Sequence, residues 1–179
     1  MAVADGITAL RTLADRLDII EVCTRLHWCV DHRDWDGLDD LLADHVSFPT
    51  PDELAAPGFD PALFLRSRAE IKAAYPGLLG GLVTQHLIAG HQVRLDGDRA
   101  TCLAHSVNVH QREDEPGGPV ILHGNEYRFE LERTGGQAHG GWRIAARQTW
   151  IRWRSGDERH YDVDRRMRDW AGAVRPARA

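Results

Sequence analysis

The chain has 179 residues, 42% of them apolar and 27% charged, with a formal net charge of −5. That length fits one domain with a sizeable core, and the acidic balance gives no electrostatic reason to expect nucleic-acid or membrane binding. Three cysteines, Cys23, Cys29 and Cys102, without CxxC spacing argue for buried reduced thiols over a disulfide framework or zinc knuckle.

Lys72 is the only lysine among 22 basic residues, which reads as a coding bias toward arginine. No apolar run approaches the ~20 residues needed to span a bilayer. The N-terminus lacks a charged-then-apolar leader pattern. The expectation is a soluble, cytoplasmic protein.

Residues 8–32 read as a helix. Leu10, Leu13, Leu17 and Ile20 recur at helical spacing as its buried face, and Cys23 or Thr24, His27 and Asp31 continue that face. An inward Asp31 needs a partner for its charge; on the last turn it could equally be solvated. His27, one turn earlier, supports Asp31 or fills core space. Asp34 is a candidate N-cap for a second helix over 35–42. A short strand over 46–48 stops at Pro49 and Pro51. Residues 49–65 hold four prolines and read as a loop bordering a pocket. A third helix over 67–79 contains Pro76 and closes at Gly80-Gly81. Four strands follow near 83–95, 99–112, 119–133 and 141–154. Helices first and an antiparallel meander after them predict an α+β fold with helices on the concave face of a curved sheet. Residues 1–154 form that single domain, and 155–179 a tail with helical spacing that could act as a lid.

Strand alternation limits which histidines can share a pocket. His105 and His110 face opposite ways, as do His86 and His91, unless a bulge intervenes. A three-residue turn over Asp96–Asp98 sets His86 opposite Asn108, with His110 diagonal to it. A two-residue turn brings His105 there instead. Small residues at Ala100, Cys102, Ala104 and Ser106 share the parity of His110 and favour it as pocket-facing. The odd positions Leu103, Val107 and Val109 then form an apolar outer face, which predicts a homodimer or homotrimer.

Ten histidines invite a metal reading, but no HExxH pair occurs. No GxSxG elbow, GxGxxG or P-loop occurs either, so neither a serine hydrolase nor a nucleotide cofactor has support. No metal and no cofactor is expected. The chemistry-bearing constellation is Asp31, His86 and His110. An imidazole titrates near neutrality and can take or give a proton, and a carboxylate can fix its tautomer.

The segments VDHRDWDGL (30–38), TQHLIAG (84–90), HQR (110–112), GWRIA (141–145), IRW (151–153) and YDVDRRM (161–167) resemble the SnoaL-like branch of the NTF2-like superfamily, and within it the scytalone dehydratase-like proteins. The resemblance implies a cone-shaped α+β barrel around an apolar cavity. It implies cofactor-free dehydration, isomerisation or cyclisation of a small cyclic, polyketide-type carbonyl compound. By the same resemblance Asp31 supports His86, and His110 lines the cavity with them. Asn125 and Tyr127 face the substrate, while YDVDRRM covers the pocket. The family's two carbonyl-activating tyrosines are replaced by Val30 and Thr50, leaving Tyr127 or Tyr75 to take over. Asn108, opposite His86, completes the substrate-facing set. The alternatives are a non-catalytic small-molecule binding module, an oligomeric accessory subunit, and an epoxide hydrolase that would need more polar groups around Asp31.

Overall fold

A computed structural model describes residues 2–55, 57, 58, 60, 64–156 and 166. The long helix α1 (Ala2–His32) lies against the sheet, and a 3-10 turn (Asp36–Asp40) leads into strand β1 (Leu42–Ser47). A short helix α2 (Pro51–Ala55), strand β2 (Leu65–Ser67) and helix α3 (Arg68–Leu79) follow. Four long strands complete the domain: β3 (Leu82–Asp96), β4 (Arg99–Arg112), β5 (Val120–Arg133) and β6 (Trp142–Ser155). The sheet order is β2-β1-β6-β5-β4-β3; β1 runs parallel to β6 and every other pair is antiparallel. The sheet is curved but open, an α+β half-barrel with β2 and β3 at its edges.

The core corrects the expected helix face. Ile19, Val22 and Leu26 of α1 pack with Phe129, Trp142 and Ile144, all fully buried. Leu10, Leu13 and Leu17 lie on the other side of α1 and are 68%, 57% and 66% exposed. At 100° per residue, two apolar stripes share this helix, and spacing alone does not say which one meets the sheet. The choice is made by polar anchors. Asp15 accepts from Arg133 Nη2 at 2.6 Å and from Trp142 Nε1 at 3.2 Å, holding the Ile19 side against the sheet.

Two other expectations change. Residues 35–42 form a 3-10 turn and then strand, with Asp34 Oδ1 accepting from Gly37 N at 3.0 Å. The stretch 49–65 is not all loop, since it holds α2 and runs into β2. Helix α3 matches its prediction, with a capping box between Ser67 and Glu70, and Pro76 sits inside it. The tail from 157 onward lies outside the described residues except Arg166, which donates to Leu78 O and Gly80 O. Cys23, Cys29 and Cys102 are buried free thiols.

The β3–β4 hairpin reaches the expected register by another route. Its turn is of two residues, pairing Asp96 with Arg99. Gly90 and His91 then stand opposite Ala104 alone, a bulge that Gly90 permits with φ of 69°. Beyond the bulge His86 pairs with Asn108, and the face presented by β3 switches from odd to even positions. His91 and His86 therefore share the inner face, where alternation alone separates them.

Candidate active site

Asp31 is fixed by the two structures it joins. Helix α1 ends with Arg33 in a left-handed conformation (φ 59°), and Asp34 N donates back to Cys29 O at 2.9 Å. The Arg33 guanidinium donates to Val30 O, Leu82 O and, at 3.2 Å, Thr84 Oγ1, so it ties the helix end to the start of β3. Asp31 then receives three hydrogen bonds from β3: His86 Nδ1 at 2.6 Å, His86 backbone N at 2.7 Å and Thr84 Oγ1 at 2.9 Å. Burial raises the Asp31 carboxyl, but the His86 ring and backbone N–H and the Thr84 hydroxyl together hold it below the usual carboxylate range.

A carboxylate accepts only, so His86 donates from Nδ1 and turns Nε2 to the far side of the ring. That ring borders a small, partly open cavity of about 80 Å³. Val30, Leu78, Leu79 and Ile151 supply apolar wall. His110 lies edge-on to His86 with ring centroids 5.9 Å apart, and His123 stands 5.4 Å beyond it. Burial, then the neighbouring His86 and His123, push His110 down to about 3, which keeps it neutral at pH 7. His27 packs 5.3 Å from His86 and is likewise pushed to about 3, by burial first and by His86 next. Its Nδ1 donates to Cys23 O at 3.0 Å, leaving Nε2 as a buried acceptor with no hydrogen-bond partner among the described residues.

Opposite the histidines, four side chains form a directed chain. Asn125 Nδ2 donates to Ser106 Oγ (3.4 Å), Ser106 Oγ to Asn108 Oδ1 (2.7 Å), and Asn108 Nδ2 to Tyr127 Oη (3.0 Å). Tyr127 accepts in this chain, so its own hydroxyl hydrogen is left to donate into the cavity.

The sequence-derived residues Asp31, His86, His110, Asn108, Asn125, Tyr127 and Val30 thus come together, Asp31 from behind His86 and the others at the cavity wall. His105 faces outward and is exposed. Thr50 does not join them: it caps α2, its Oγ1 accepting from Glu53 N at 3.2 Å while its own N donates to Glu53 Oε2 at 2.8 Å. A threonine before Pro51 is suited to that cap, and Thr50 is not among the residues lining the cavity. Tyr75 does reach the cavity, stacked on Trp35 at 5.3 Å.

Sequence reasoning missed His123, Arg147 and Thr149. His123 shares the parity of Asn125 and Tyr127, so the same alternation would have found it. Arg147 and Thr149 carried no such signal. A register shift in β6 between Ile144 and Ala146 turns Arg147 and Thr149 onto the inner face with no glycine or proline to mark it. Among the described residues no three His, Cys, Asp or Glu side chains are grouped to hold a metal ion, and no helix is long and apolar enough to cross a membrane.

Comparison with known proteins agrees with this architecture. The Kfla4162 protein of Kribbella flavida is 24% identical with a TM-score of 0.67, over 80% of this chain and 95% of that one. A type 2 hexachlorocyclohexane dehydrochlorinase is 16% identical with a TM-score of 0.65, over 83% and 93%. A candidate scytalone dehydratase of Novosphingobium aromaticivorans is 14% identical with a TM-score of 0.64, over 80% and 88%. Solved NTF2-like proteins share the fold as well. No curated protein matches the chain. The SnoaL-like domain family matches residues 11–148, which is most of the chain and includes α1's buried half, β3 to β5, the first half of β6 and the Asp31–His86 pair; the protein belongs to that family.

Proposed function

We propose that this protein is a cofactor-free acid–base enzyme, a dehydratase, isomerase or cyclase, acting on a small cyclic, polyketide-type carbonyl compound. The observation that carries this reading is the Asp31–His86 pair, whose Nδ1–H···O bond turns Nε2 away from Asp31 beside a cavity with apolar wall. Two of the similar structures carry the names of elimination enzymes, a dehydrochlorinase and a dehydratase, and elimination is a reaction this pair can serve.

In the proposed reaction His86 Nε2 takes a proton from carbon next to the carbonyl. The C–H electrons move into an enolate, and Asp31 stabilises the resulting imidazolium. Tyr127 donates its hydroxyl hydrogen to the oxygen where charge develops, and Tyr75 is the second phenol in the cavity. The proton then leaves His86 for a departing hydroxyl in dehydration, or for another carbon in isomerisation. His110, held neutral, is a poor proton donor, so delivery falls to His86 and His110 shapes the wall. A positioned acid–base group gives roughly 10²–10⁴-fold, and each oxygen donor roughly 10²–10³-fold.

The test is exchange of carbon-bound hydrogen for deuterium, followed by NMR, over a panel of cyclic ketones and hydroxyketones in D2O. Exchange catalysed by the wild type and lost in His86→Ala is the expected result. Binding of panel members with no exchange by the wild type would instead indicate the binding-module alternative. The homo-oligomer reading is likewise a proposal. It rests on an outer-face apolar row, Leu87–Val107–Trp153, in which Gly124 makes room for the Trp153 ring.

A further inference from the structure

The β6 bulge brings into the cavity a cation that the acid–base reading does not use. Past the register shift, Arg147 pairs with Phe129 and Thr149 with Tyr127, and both line the cavity. The Arg147 guanidinium lies over the Phe48 ring at 3.9 Å and 5.7 Å from the centre of the Tyr127 ring. Its Nε has no hydrogen-bond partner, and no carboxylate pairs with it, among the described residues. Thr149 Oγ1 and Asn125 Oδ1, both on buried residues that line the same cavity, also have no hydrogen-bond partner among the described residues.

An arginine stays charged in any protein setting, and Arg147 is half-buried, with its Nε out of water and unbonded among the described residues. Beside it the cavity offers the Tyr75 phenol and, among the described residues, no free negative charge. His27 and His110 are neutral, and the Asp31 charge is already taken up by His86 and Thr84. The wall therefore carries one positive charge with a planar fork of donors and a hydroxyl two residues along. Fork geometry suits a carboxylate, which accepts two parallel N–H bonds.

We infer that the substrate carries a carboxylate, held by Arg147 with Thr149 beside it. The inference rests on the acid–base reading and narrows its substrate class. The wall between Arg147 and His86 is formed by the rings of Tyr127 and His27, 4.9 Å apart, with His27 next to His86. A small ring anchored by its carboxylate at Arg147 lies along these two rings, with its far side toward His86 Nε2.

Benzoate and its neutral isostere benzamide test this without turnover, by titration into the protein followed by heteronuclear NMR. Wild type should bind benzoate at least tenfold more tightly than benzamide. Arg147→Met should bring benzoate to the benzamide level, and Arg147→Lys, which keeps the charge but not the fork, should fall between. Equal binding of the two probes to wild type, binding of neither, or undiminished benzoate affinity in Arg147→Met would overturn the inference. If Arg147→Met does not fold, the wild-type pair and Arg147→Lys decide. His86→Asn should lose deuterium exchange yet keep the preference for benzoate. In the wild type, exchange without a benzoate preference sinks the carboxylate alone, and a benzoate preference without exchange sinks the acid–base reading alone.

Discussion

The concave face of the four long strands buries Asn108, His110, His123, Asn125 and Thr149, while the convex face leaves Leu87 57% and Trp153 47% exposed. A sheet with one face on a core and one in water normally shows the opposite distribution. Of these, Asn125 Oδ1 and Thr149 Oγ1 have no hydrogen-bond partner among the described residues, and each such atom costs about 1–3 kcal/mol, so part of the concave surface is held at the expense of stability. The convex row has no such burden, since its side chains could be replaced with little effect on the fold. Polarity placed against stability marks chemistry; apolarity placed against solubility marks contact.

This contrast can be broken most sharply at the Asp31–His86 pair. Asp31→Asn and His86→Ala should each lower the rate of deuterium exchange by ~10²–10⁴-fold with the fold retained by circular dichroism. Wild-type rates in both would remove the pair from the reaction. Tyr127→Phe should cost ~10²-fold in the same assay, as loss of one oxygen donor; a smaller loss would move that role to Tyr75.

A second test uses pH. His27 and His110 are held near 3 in the folded protein against an ordinary 6.5. Between those values the unfolded chain binds more protons, so stability falls as pH drops below about 6.5, by up to about 1.4 kcal/mol per unit for each histidine. Asp31, held low, adds to the loss only at more acid pH, as its folded form protonates. Urea unfolding at pH 7 and pH 5 should show the drop, and His27→Phe should flatten it. An unchanged slope in that variant would mean His27 is not buried neutral.

The smallest effect on stability belongs to the outer face. Leu87→Glu should change unfolding free energy by no more than about 0.5 kcal/mol, yet lower the molecular mass measured by light scattering if a second copy sits on this row. The same mass in wild type and variant would discard the row as an interface.

What the sequence made legible follows from the range over which each signal acts. Helix α3 was readable because Ser67 and Glu70 mark its start locally. The four long strands were readable from alternation and turn residues. The pairing of His86 with Asn108 was reached through a three-residue turn that does not exist; a two-residue turn and a compensating bulge give the same pairing. Leu10, Leu13 and Leu17 misled because periodicity identifies a stripe and not its neighbour, and the Asp15 anchors to Arg133 and Trp142 are more than a hundred residues away in sequence. Thr50 misled because a resemblance transfers a position, whereas the local Thr-Pro-x-Glu run used the hydroxyl for a cap. Arg147 stayed hidden because its direction is set by a backbone irregularity that side-chain pattern does not encode.

The extra residue at Gly90–His91 works as a phase shifter between two programmes written on one strand. On the turn side, Val93 and Leu95 point inward to fill space; on the other, Thr84 and His86 point inward to meet Asp31. Deleting His91 would leave the turn half untouched and rotate the other half by one position. Gln85 and Leu87 would then face the carboxylate, and the imidazole would look out at solvent. Substitutions on the turn half can therefore accumulate without disturbing the half that carries Thr84 and His86, whereas one lost codon would break the Asp31–His86 pair.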